Sequence, residues 1–152
     1  MECTNSQIID KGIWTISKYL ILSVSGYSYA VKVPYVHKIV ELPCVSALSC
    51  AKPYILGVTE VDGEVYTVVD LRVLLGAEPK AFPRRTMAVL LAYGGSKICA
   101  VVDDVLSVTG IDMGSAIYPF QKKCCVYGVA QIGGEIICLL SMDYLFMCGN
   151  VH

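Results

Sequence analysis

The feature that most constrains this chain is an internal repeat. Residues 57–65 (GVTEVDGEV) align with residues 128–136 (GVAQIGGEI), 71 positions later. The match continues from Val68 and Val69 against Leu139 and Leu140 to Leu74 and Leu75 against Leu145 and Phe146. A weaker echo sets Tyr29, Ala30 and Val31 against Cys99, Ala100 and Val101 at an offset of 70, and Val36 against Val105 at 69. The 152 residues are therefore expected to form one domain, 1–152, built as two related lobes at about 16–82 and 83–148, a division that leaves room for strand exchange.

Each lobe reads as two hairpins. Residues 19–24 and 27–33 alternate β-branched, aromatic and small side chains around Ser25 and Gly26, and 87–93 with 97–102 do so around Gly94 and Gly95. The second hairpins turn at Asp62 and Gly63 and at Gly133 and Gly134, dipeptides suited to the two positive φ angles of a type I′ turn. Asp70 is placed to cap a short helix over 71–75, and Ser141 one over 142–147. Residues 76–85, with Pro79 and Pro83, read as a linker. Four or five short strands per lobe cannot hide their edges in a flat sheet, so small closed barrels are predicted.

Composition limits the function. The chain is 55% hydrophobic and 16% charged with a net charge of −1, which leaves no basic excess for a phosphate backbone and argues against nucleic acid as a partner. The apolar stretches are interrupted at Lys18, Lys32, Asp103, Asp104 and Asp143, so no membrane-spanning segment is expected. Glu2 and Asp10 stand where a secretory signal would carry basic residues, and the expected location is the cytoplasm. Of eight cysteines, Cys44, Cys50, Cys99, Cys124, Cys125 and Cys138 lie in or beside apolar segments, where a thiol acts as a small hydrophobe. No CxxC pair occurs, and His37 and His152 bring no ligand pattern, so neither metal nor cofactor is expected.

Two chemical alternatives present themselves. Asp103 and Asp104 close an apolar strand in a way that resembles the acidic pocket of a response-regulator receiver, but 48 following residues are too few for the rest of that fold, and a polar exit leading into Val105 and Leu106 is the simpler reading. Vicinal Cys124 and Cys125 would serve redox chemistry, though adjacent side chains on a strand point to opposite faces. No hydrolase, phosphate-loop or zinc-protease motif accompanies them.

Three segments together resemble the CheW-type chemotaxis coupling domain. They are Tyr29 to Val33 followed by Val36 to Ile39, then Ile55 to Gly63, then Val68 to Arg72. In the second half, Val101, Val102 and Asp103 before Val105, and Tyr127 to Val129 through Leu140, resemble the same family. The resemblance implies a mainly β fold of two SH3-like barrels, related by internal duplication and carrying short helices, with a hydrophobic seam between them. It further implies a non-catalytic adaptor that joins the cytoplasmic tips of chemoreceptors to the regulatory domain of a CheA-type histidine kinase. The receptor's helical hairpin would lie in a groove touching Val36, Lys38, Gly57 and Asp62. Gly63, Asp70, Gly134 and Ser141 would serve as turns and caps. A pathway such as pilus motility could use the same fold. Members of the family usually carry arginine where this chain has Asp62 and glutamate where it has Lys38, so the resemblance implies an ion pair of reversed polarity.

Overall fold

The structure, a computed structural model, describes residues 16–49, 52–112 and 125–150. Four tight turns organise it. Ser25 and Gly26, Asp62 and Gly63, Gly94 and Gly95, and Gly133 and Gly134 all have positive φ at both positions, 53° and 80° in the second pair, as a type I′ turn requires. They join β1 (Ile16–Val24) to β2 (Tyr27–Lys32), β5 (Ile55–Val61) to β6 (Glu64–Asp70), β7 (Met87–Tyr93) to β8 (Ser96–Val102), and β10 (Val126–Ile132) to β11 (Glu135–Leu140). After β6 comes α1 (Leu71–Leu74), capped by Asp70 Oδ1, which accepts from the Arg72 N–H at 3.0 Å. After β11 comes α2 (Met142–Cys148), capped by Ser141 Oγ, which accepts from the Tyr144 N–H at 3.2 Å.

Each sheet draws strands from both halves of the chain. With β3 (Val36–Glu41), β4 (Ser46–Ala47) and β9 (Asp104–Asp112), the orders are β10-β11-β2-β1-β9 and β3-β7-β8-β6-β5-β4. Apart from the extra β4, the two orders are the same under the duplication. The first hairpin of each half is exchanged: β2 joins β11, and β8 joins β6, both by parallel pairing. The hydrogen-bonded units are thus not the contiguous stretches 16–82 and 83–148.

Strand pleating sorts the side chains into three cores. Tyr19, Ile21, Ala30 and Leu139 fill one barrel, and Tyr66, Val68, Leu90 and Cys99 fill the other. The alternate residues of the same strands, among them Leu20, Leu22, Val89, Leu91 and Ala100, meet in a seam with Met142, Leu145 and Phe146 of α2. The central residues of the exchanged hairpins are buried on both faces, which is why β-branched, aromatic and small side chains alternate there with one another rather than with charged ones. The apolar excess is spent on these cores, and no helix among the described residues is long and apolar enough to cross a membrane.

Three sequence expectations need correction. The weak echo belongs at 69 residues rather than 70: Ala30 pairs with Ile21 and Leu139, and its counterpart Cys99 pairs with Leu90 and Val68. Ala100 instead faces the seam, because a shift of one residue turns a strand side chain to the other face. The acidic pair is not a simple polar exit into Val105 and Leu106, because a nine-residue strand, β9, begins at Asp104 itself. It escapes a hydrophobic pattern because six of its nine residues are exposed. Finally, residues 76–85 are not a loose linker. Arg72 Nη2 donates to the Lys80 carbonyl at 2.9 Å, and the guanidinium lies 4.4 Å from the Phe82 ring centroid.

Candidate functional site

β3 and the β5–β6 turn stand far apart in strand order, yet the curl of their sheet brings them together. Val40 of β3 and Val61 of β5 pack on the same barrel core. Above them, Lys38 Nζ donates to Asp62 Oδ2 at 3.0 Å, with the two side chains 51% and 68% exposed. Asp62 has a double role, since it also supplies the first positive φ of its turn. Val36, two residues before Lys38, lies opposite Leu91 and is half-buried against the seam. Its counterpart Val105 lies opposite Leu22, which confirms the offset of 69 residues between these elements.

Gly57 is on the other flank of the barrel, where β4 crosses β5. A Cβ added there would stand 2.0 Å from the Ser46 carbonyl oxygen, so the bare backbone lets β4 pair at all. Lys38 and Asp62 are therefore in direct contact, Val36 shares their strand, and Gly57 acts through backbone packing.

The acidic pair is divided between two backbone tasks. Asp103 Oδ2 accepts from the Ser25 N–H at 2.6 Å and so holds the β1–β2 turn, while Asp104 Oδ1 accepts from the Val105 N–H at 2.9 Å. Cys124 lies outside the described residues, and Cys125 is half-buried against the seam. Cys99 is fully buried, and burial pushes its thiol pKa up to about 12, which suppresses the reactive thiolate. Among the described residues no three His, Cys, Asp or Glu side chains converge to hold a metal ion.

Two arrangements were not read from the sequence. The first is the ion pair of Asp70 with Arg72, both 3% exposed, in which Arg72 Nε and Nη2 donate to the two carboxylate oxygens at 3.0 and 2.9 Å. Its signal was a helix-capping aspartate with an arginine two residues later. The second is a groove lined by Tyr35, Tyr93 and Tyr127, where three separate elements converge. Tyr35 and Tyr93 meet edge to face at 5.2 Å, Tyr93 donates to Asp143 Oδ1, and the Tyr127 and Tyr19 hydroxyls are 2.8 Å apart. The bond to Asp143, then burial, raises the Tyr93 pKa; burial, then the Tyr19 hydrogen bond, raises that of Tyr127.

The family model of the CheW-like domain matches residues 18–147, which takes in both barrels and both helices. The chain belongs to the CheW-like family. Among its relatives is the chemotaxis protein CheW of Bacillus subtilis (strain 168), 30% identical over 113 residues that make up 72% of each chain. The chemotaxis protein CheW of Klebsiella aerogenes is 27% identical over 148 residues, covering 88% of this chain and 89% of that one. In fold, the chain is similar to the crystal structure of the scaffolding protein TtCheW from Thermoanaerobacter tengcongensis, with a TM-score of 0.78 and 21% identity over 90% of this chain and 97% of that one. The fold of this CheW-like chain is thus mainly β, two sheets shared between the halves, consistent with SH3-like lobes.

Proposed function

We propose that this protein is a non-catalytic chemotaxis adaptor that couples the cytoplasmic tips of chemoreceptors to the regulatory domain of a CheA-type histidine kinase. The observation that carries this reading is the family match across residues 18–147, which spans the whole two-barrel unit rather than one lobe. The geometry agrees with it: the polar side chains that suggested phosphoryl chemistry are committed to backbone turns, and the buried thiol is held protonated. Such a protein works by presenting surfaces, and its place at the membrane comes through its receptor partner.

In this reading the Lys38–Asp62 rim, with Val36 beside it, faces the receptor, and Gly57 keeps the adjoining strands in place. The polarity of the pair selects a partner of matching charge, since like charges across an interface cost affinity. The test is reconstitution of the purified chain with its cognate kinase and a receptor cytoplasmic fragment. Formation of a ternary complex with receptor-controlled kinase activity is expected. A complex with neither component overturns the reading, and recovery of a pilus-motility kinase instead would move the same adaptor to that pathway.

A further inference from the structure

The duplication allows one half of the molecule to be read as a template for the other. Leu140, Ser141, Met142 and Asp143 stand 71 residues after Val69, Asp70, Leu71 and Arg72, at the same junction of strand and helix. In the first half this junction is covered by the chain itself. Residues 77–83, which include Pro79 and Pro83, pass over it without helix or strand and are held through the Lys80 carbonyl and the Phe82 ring on Arg72. In the second half the described residues put nothing there. The space is an open cavity of about 330 Å³ beside Tyr35, Tyr93, Tyr127 and Asp143, and Lys32 and Tyr35 also line a second one of about 450 Å³ that Lys18 borders.

The walls are already set for a ligand. The edge-to-face contact of Tyr35 with Tyr93, and the hydroxyl bonds of Tyr93 to Asp143 and of Tyr127 to Tyr19, hold three rings in place, which lowers the cost of ordering them on binding. Charge is polarised along the groove. Asp143 replaces Arg72 at one end, where its Oδ1 accepts from the Tyr93 hydroxyl, while at the other neither Lys18 nor Lys32 has a carboxylate partner among the described residues. Grooves lined by aromatic side chains suit extended proline-containing segments, whose backbone is ordered before it binds.

We propose that this groove binds an extended, proline-flanked segment of a partner protein, seating an apolar side chain on the tyrosine rings and a carboxylate on Lys32 and Lys18. Tyr35 adjoins Val36 of the receptor-facing rim in sequence, but Tyr93, Tyr127 and Asp143 come from other elements, and the proposal stands or falls independently of the kinase and receptor assignment.

The full chain, with isotope-labelled tyrosine rings and backbone amides, is titrated by NMR with two blocked hexapeptides patterned after residues 79–83. One has the order Glu, Pro, Ala, Phe, Pro, Glu, and the other replaces both glutamates with lysine. Saturable shifts at Tyr35, Tyr93 and Tyr127 are expected with the acidic peptide. The double variant Lys18→Glu with Lys32→Glu, the first side chain exposed and the second half-buried, should weaken that peptide about five-fold or more. Equal affinity for both peptides, an unchanged affinity in the variant, shifts centred on Lys38, or no saturable shift at millimolar peptide would each overturn the proposal.

Discussion

Ala30 and Cys99 hold the same place in the two barrels. Each is fully buried on the second strand of an exchanged hairpin, each lies opposite a large aliphatic residue of the first strand, Ile21 or Leu90, and each is joined on its other side by parallel pairing to the partner half's Leu139 or Val68. The equivalence fixes the register of the duplication and ties the two halves into one folding unit. Neither barrel is complete without a hairpin from the other half, so unfolding is expected to be a single cooperative transition by fluorescence and circular dichroism alike. Two separated transitions would contradict this interdependence.

The Asp70–Arg72 pair should be costly to break. Removing one partner leaves the other charge buried without compensation, and Arg72 also anchors residues 80–82. Arg72→Ala is expected to lower stability by about 3–5 kcal/mol in urea unfolding. Arg72→Lys should recover little, since an ammonium cannot reproduce the two parallel hydrogen bonds to Asp70. Full stability in Arg72→Lys would show that charge alone suffices.

Lys38 and Asp62 are expected to matter for recognition rather than for stability. With both side chains at least half exposed, a double-mutant cycle should give a coupling of about 0.2–1 kcal/mol that fades with salt. Binding to the cognate receptor tip should fall in Asp62→Arg and return at least in part in Asp62→Arg with Lys38→Glu. An undiminished affinity in the single variant, read by titration calorimetry, would remove the pair from the recognition surface.

Gly57→Ala should loosen one edge of a barrel. The new methyl group would strike the Ser46 carbonyl, and the backbone at φ +149° is itself strained for an L side chain. A loss of about 1–3 kcal/mol is expected, with amide exchange accelerating first in β4 and β5. Exchange that is unchanged at Val58, opposite Ser46, would refute the close-approach argument.

Local chemistry made much of this fold legible from the residues. Asp62 with Gly63, and Gly133 with Gly134, specify their turns without help from the rest of the chain, as Asp70 and Ser141 specify their helix starts. What remained hidden depends on distant partners. The parallel joins β2–β11 and β6–β8 have no turn to announce them. β9 lacked a legible burial pattern because six of its nine residues are exposed, Leu106 and Val108 at 52% and 59% among them. At the site, the family resemblance named Lys38 and Asp62 as a pair, but the tyrosine groove arises from residues 35, 93 and 127, which become neighbours only when the hairpins are exchanged.

The counterpart of Cys99 supplies its natural replacement, alanine. Burial holds the Cys99 thiol neutral up to a pKa of about 12, whereas in the unfolded chain it ionises near its ordinary value of 9.0. Between these values the folded state binds the extra proton, so stability is unaffected below about pH 9 and falls as pH rises toward 12, by up to about 1.4 kcal/mol per pH unit for this one group. Tyrosines contribute to the same alkaline loss, so the difference between wild type and Cys99→Ala isolates the thiol. The variant should lose about 1 kcal/mol at pH 7 through its smaller side chain and then converge on wild type, or overtake it, as the pH is raised past 9. Urea unfolding at pH 7, 9 and 10.5 measures this directly, and parallel stability curves for the two proteins would mean that the thiol ionises freely inside the barrel.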